Sequence, residues 1–119
     1  MYISENDKIA IRQLIEKQLS AFQSKDEATA FALTSPTIQR KYGQNDFINT
    51  IEADYDAIIK PRSIMFKGFT LVNNYPALVS MIMDRAGELA QGVFIVQHQP
   101  DYSWRIHGYE LLSIDKKII

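Results

Sequence analysis

The sequence predicts an α+β domain: N-terminal helices packed on one face of a four-stranded antiparallel sheet. Three observations carry the prediction. Up to Pro61 the apolar residues recur at three- and four-residue steps, the spacing of a helix face. Beyond Pro61 the period changes to two, in runs separated by turn residues, the sign of strands. The two patterns are segregated rather than interleaved, which separates α+β from α/β architecture. Residues 1–119 read as one domain, with no repeat, linker or low-complexity segment.

The first helix lies in "SENDKIAIRQLIEKQLSAFQSKD". Ser4 with Asp7 three positions on supplies an N-cap and an acidic first turn. Ile11, Leu14, Ile15, Leu19 and Phe22 form its apolar face. Asp26 caps a short second helix, "EATAFALT". Ser35 as cap and Pro36 at the first helical position open a third, which Gly43 is expected to close. "QNDFINTIEADYDAIIKP" predicts a fourth, capped by Asn45, with Phe47, Ile51, Tyr55 and Ile58 as its stripe, and Pro61 stops it.

"SIMFKGFTLV" is the first strand, with Gly68 marking a bulge or bend. Asn73, Asn74 and Pro76 turn the chain into "ALVSMIM". "DRAGE" is a hairpin turn, "LAQGVFIVQHQ" the third strand, "PDYS" another turn and "WRIHGYELLSI" the fourth strand. The tail "DKKII" carries no assignment. Both faces of these strands are apolar: Val79, Met81 and Met83 oppose Leu78, Ser80 and Ile82, and Val93 and Ile95 oppose Phe94 and Val96. Helices cover one face. A second copy of the sheet would cover the other, so a homodimer is expected.

Composition narrows the classes. A net charge of −1 gives no basic surface for nucleic acid or an anionic membrane. The absence of cysteine removes disulfides, thiolate nucleophiles and zinc–thiolate sites. No stretch approaches a membrane span or the apolar core of a signal peptide, so the expectation is a soluble, cytoplasmic domain. There is no glycine-rich phosphate loop, nucleophile elbow or dinucleotide fingerprint. No cofactor and no metal site are expected.

The chain is similar to the domain-of-unknown-function family 4864. The likeness rests on Ala30-Phe31, Ser35-Pro36, Ile38-Gln39, Tyr42-Gly43, Phe47, Tyr55, Pro61 and Trp104-Arg105-Ile106 with Gly108, spanning Leu14 to Leu112. That family resembles the nuclear transport factor 2-like superfamily. The resemblance implies a curved sheet wrapped around a long N-terminal helix, with a pocket at the open end of a cone. The superfamily holds isomerases, dehydratases, cyclases and non-catalytic binding modules, and a shared fold does not choose among them.

The residues that could carry function are few. His107 is a candidate general base, but strand alternation puts it on the face opposite Trp104 unless a bulge near Gly108 shifts the register. His98 is a second candidate, or an edge residue. Asp84 ends the apolar run "LVSMIM", where burial would poise a carboxyl for proton transfer, yet "DRAGE" reads better as an Asp-initiated hairpin turn with glycine at the positive-φ position. Tyr42, Tyr55, Gln97 and Trp104 are the candidate lining of an apolar ligand pocket, against the alternative that the aromatics simply fill the core. The reading is a domain that binds a small apolar ligand or a protein partner and dimerises through its sheet. The alternative is a proton-transfer enzyme working in the cone.

Overall fold

The computed structural model describes residues 3–114. Five helices precede four strands: α1 (Glu5–Gln23), α2 (Glu27–Ala32), α3 (Pro36–Lys41), α4 (Gln44–Asp54), α5 (Asp56–Ile59), β1 (Ser63–Val72), β2 (Tyr75–Met83), β3 (Leu89–His98) and β4 (Trp104–Ser113). The tail "DKKII" lies outside the described residues.

Local chemistry accounts for the helix starts. Ser4 and Asp7 form a reciprocal capping box at α1, with each side chain accepting from the other's backbone N–H. The bond to Ser4 holds the Asp7 carboxyl below its usual range. Asp26 caps α2 through Thr29, and Ser35 caps α3 through Ile38. Two helix boundaries differ from the sequence expectation. Gly43 opens α4 instead of closing α3, so Asn45 falls inside the first turn and makes no cap. The expected long fourth helix also breaks at Tyr55, whose φ of −133° and ψ of 36° leave the helical region. Asp54, Tyr55 and Asp56 are poor helix formers. The break starts a separate short helix, α5, whose Ile58 and Ile59 are both buried.

The sheet is an antiparallel meander in the order β1-β2-β3-β4. Asn73 and Asn74, at φ 50° and 69°, form a two-residue loop between β1 and β2. That backbone suits strand twist and favours Asn or Gly. β2 therefore begins two residues earlier than its sequence pattern, with Pro76 inside it opposite Leu71. Two bulges interrupt the ladders. Lys67 is the extra residue on β1, beside Gly68. His107 is the extra residue on β4: Val96 pairs with Ile106 and Ile95 with Gly108.

One sheet face packs on the helices. Leu78, Ile82, Phe94, Val96 and Ile106 meet Ile11, Ile15, Leu19, Phe47, Ile51 and Ile58 in a single core. Gln18 sits in the same apolar stripe of α1, 1% exposed. Its Nε2 donates to the Ala30 carbonyl and its Oε1 accepts from the Tyr109 hydroxyl, at 3.1 and 2.7 Å. The other face carries Val79, Met81, Met83 and Ile95, all half-buried, with Met65 and Leu112 58% and 59% exposed at its flanks. At the β4 edge, Thr34 makes a parallel bridge to Ile106. Ser35 N–H donates to the Ile106 carbonyl and Ile106 N–H to the Leu33 carbonyl.

Candidate functional site

The bulge on β4 decides what surrounds His107. A residue inserted into an antiparallel ladder has no partner opposite it, and the strand bends around it. The His107 ring lies 4.6 Å from that of Tyr75, across the end of the sheet. Its Nδ1 is 2.9 Å from Ser35 Oγ. Ser35 is wholly buried, and its oxygen already accepts from Ile38 N–H. The hydroxyl proton is therefore available to an unprotonated Nδ1. Burial pushes the His107 pKa down and favours the neutral ring. A serine beside a histidine resembles a nucleophile and its base, but this serine is inaccessible and spent on a helix cap. The pair ties α3 to β4.

Trp104 belongs to a different neighbourhood. It stands opposite His98 in the β3–β4 ladder, and their rings stack at 4.4 Å and 20°. The His98 Nε2 lies 3.1 Å from the Tyr102 carbonyl at the β3–β4 turn. The two rings that are neighbours in sequence, Trp104 and His107, thus have separate partners.

Asp84 is engaged in its turn. Its Oδ1 accepts from Ala86 and Glu88 N–H at 2.9 and 2.8 Å, and Gly87 takes the positive φ. Tyr55 packs against Tyr109, ring to ring at 5.7 Å, in an aromatic group with Phe47 and Phe94. Burial pushes the Tyr109 hydroxyl far up, against the opposing effect of its bond to Gln18. Tyr42 ends α3 under the Lys41 ammonium. Gln97 stands opposite Arg105, on the sheet face away from the helices, and accepts from Gln99. Tyr42, Tyr55, Gln97 and Trp104 thus have different neighbours.

A cleft does open elsewhere, with a volume of about 930 Å³. Its floor is Ala21 and Phe22 from the end of α1, Ile48 from α4, and Ile59 with Pro61 around the end of α5. Its walls carry Lys25, Lys60, Arg62 and Arg85 with Glu27, Glu52 and Asp56. None of these charged side chains joins the ion pairs found among the described residues, which are Lys8–Glu5 and Arg12–Glu16 on α1. A smaller cleft of about 380 Å³ lies between the α2–α3 link and the β3–β4 turn, lined by Thr34, Gln39, Asp101 and Arg105 among others. None of the seven residues singled out from sequence lines either cleft. The larger one is assembled from four separated segments, and of its apolar floor only Phe22 belongs to a helical stripe read from the sequence.

Among the described residues no group of three histidines or carboxylates is placed to hold a metal ion. No helix is long and apolar enough to cross a membrane.

The family model for the domain of unknown function DUF4864 matches residues 4–119. The chain belongs to that family. No curated protein and no solved structure matches it. Membership in DUF4864 attaches no activity to the chain.

Proposed function

We propose that this DUF4864 domain is a non-catalytic, cytoplasmic binding module that holds a small, largely apolar molecule. The observation that carries the reading is the cleft of about 930 Å³ with Phe22, Ile48 and Ile59 in its floor. Its size falls within the range of small-molecule sites, and an apolar floor with a polar rim is their usual make-up. The resemblance to the nuclear transport factor 2-like superfamily, with its many pocket-bearing members, agrees with it. The cytoplasmic setting draws support from the lack of cysteine.

The test is titration with the neutral, environment-sensitive dye N-phenyl-1-naphthylamine. Saturable fluorescence is expected from the unaltered protein. Gln23→Trp places a large ring at an exposed position on the cleft wall and should abolish the signal. Glu16→Trp, on the exposed side of α1, should leave it intact. Equal signals from both variants would overturn the reading.

The uncovered sheet face supports a second element, a homodimer. Val79, Met81, Met83 and Ile95, flanked by Met65 and Leu112, form an apolar surface that the helices leave bare. Two copies would bury it face to face in a symmetric contact. Light scattering on the 13.7 kDa chain should return twice that mass, and Met81→Lys should return the monomer. A monomer from the unaltered chain at micromolar concentration would refute it.

A further inference from the structure

The charges around the cleft are not scattered at random over the elements that form it. All three carboxylates stand on helices: Glu27 on α2, Glu52 on α4 and Asp56 on α5. All four cations stand on connecting segments: Lys25 between α1 and α2, Lys60 and Arg62 between α5 and β1, and Arg85 in the β2–β3 turn. Three of the four gather at one end. Arg62 N–H donates to the Met83 carbonyl at 2.7 Å, which sets Arg62 beside the close of β2, two residues before Arg85. Lys60 is two residues before Arg62 on the other side. Asp56 and Lys60 are four residues apart, the spacing of a helical ion pair, and still do not pair.

An end wall with two guanidinium groups and an ammonium, uncommitted to any carboxylate and next to an apolar floor, has a definite chemical complement. Arginine presents a planar fork of donors that fits a carboxylate or phosphate in bidentate fashion. The floor of Ile59, Phe22 and Ile48 would take the hydrocarbon. From this we infer that the cleft binds an amphipathic anion, a short apolar body ending in one carboxylate or phosphate, with Arg62 and Arg85 reading the head group. The inference rests on the binding function proposed above and specifies its ligand.

Competition against N-phenyl-1-naphthylamine at pH 7.5 tests it with four probes that share one chain length: octanoate, octyl phosphate, 1-octanol and octylammonium. At least one anion should displace the dye at a concentration tenfold or more below that of 1-octanol, and octylammonium should be the poorest. The two anions tell carboxylate from phosphate. The double variant Arg62→Gln/Arg85→Gln, altered only at exposed positions, should bring the anions to the level of 1-octanol and leave 1-octanol unchanged. Equal displacement by all four probes, or preference for octylammonium, overturns the inference while the cleft remains a binding site. Failure of the dye and of every probe overturns both. Capture of the protein on phosphatidylglycerol vesicles, without binding of any soluble anion, would assign the cations to a membrane surface and also overturn the inference.

Discussion

Replacing Gln18 with methionine should destabilise the protein by about 2–4 kcal/mol, a large effect for a substitution that keeps the side chain's length and shape. Gln18 bridges two groups that have no water to turn to. The Ala30 carbonyl relies on Gln18 because the N–H four residues on, that of Thr34, is bonded to Phe31. The Tyr109 hydroxyl donates to Gln18 Oε1. Methionine fills the space and strands both. Each stranded buried group costs roughly 1–3 kcal/mol, more than the bond itself contributed, and burial of the more apolar methionine offsets part of the sum, leaving about 2–4 kcal/mol. Unfolding entropy of roughly 2.1 cal/mol/K per residue makes each kcal/mol worth about 4 °C for a chain of this size. The midpoint in a calorimetric melt should therefore fall by about 8–16 °C. Tyr109→Phe removes one of the stranded groups. Added to Gln18→Met it should cost less than the two single changes together, by about 1 kcal/mol. A fall under about 3 °C for Gln18→Met, or strict additivity in the cycle, would refute the account of a closed polar bridge.

Four further outcomes follow from the same structure. His107 prefers its neutral form when folded, because burial lowers its pKa from the ordinary value near 6.5. The unfolded chain then binds more protons below that pH, so stability should be full above about pH 6.5 and fall as pH drops through the lower folded value. Urea midpoints from pH 7.5 to 5 check this, and His107→Asn should flatten the curve. Ser35→Ala removes both the α3 cap and the His107 tie. It should lower stability by about 1–2 kcal/mol in urea denaturation, at the upper end of the range for a helix cap. Gly92→Ala should cost about 1–3 kcal/mol, since the new methyl would sit 2.6 Å from Ile82 Cδ1 and 3.0 Å from Ser80 Oγ. Asn74→Ala should cost about 1 kcal/mol through its left-handed backbone, whereas Asn74→Gly should not, with thermal melts as the readout.

Much of the helical layer was legible in the sequence because its signals are local. Ser4 and Asp7, Asp26, and Ser35 with Pro36 each announce a helix start within four residues. The α1 stripe also held a clue that reads clearly in hindsight. Gln18 is a polar residue at apolar spacing, four after Leu14 and three after Ile15, which marks a buried side chain in need of partners. The break at Tyr55 was less visible, since Phe47, Ile51, Tyr55 and Ile58 fit one unbroken stripe. Only the run Asp54-Tyr55-Asp56, poor in helix propensity, hints at it. Strand existence was plain, but register was not. Whether His107 sits in a ladder or in a bulge depends on how Ile95 and Val96 meet β4, and no property of "WRIHG" alone decides that. Those five residues turned out to serve two neighbourhoods. The cleft was hidden for a related reason: Lys25, Lys60, Arg62 and Arg85 converge only once the fold has closed.

The seam where Leu33, Thr34 and Ser35 meet Ile106 has a consequence for the order in which the molecule assembles. Ser35 and His107 are 72 residues apart, Arg105 reaches back 73 residues to the Ala32 carbonyl, and Tyr109 reaches back 91 to Gln18. The link between α2 and α3 has its anchor in β4, which follows all the other described elements. During synthesis the helices can wind early and pack on β2 and β3, but the α2–α3 link has no anchor until β4 has arrived. A chain halted before Trp104 would be a helical layer without its latch, open to proteases at the α2–α3 link. Long-range closure of this kind also slows folding, because the loop entropy is lost before the contacts form. β4 is in this sense the clasp of the described fold, closing what the helices began.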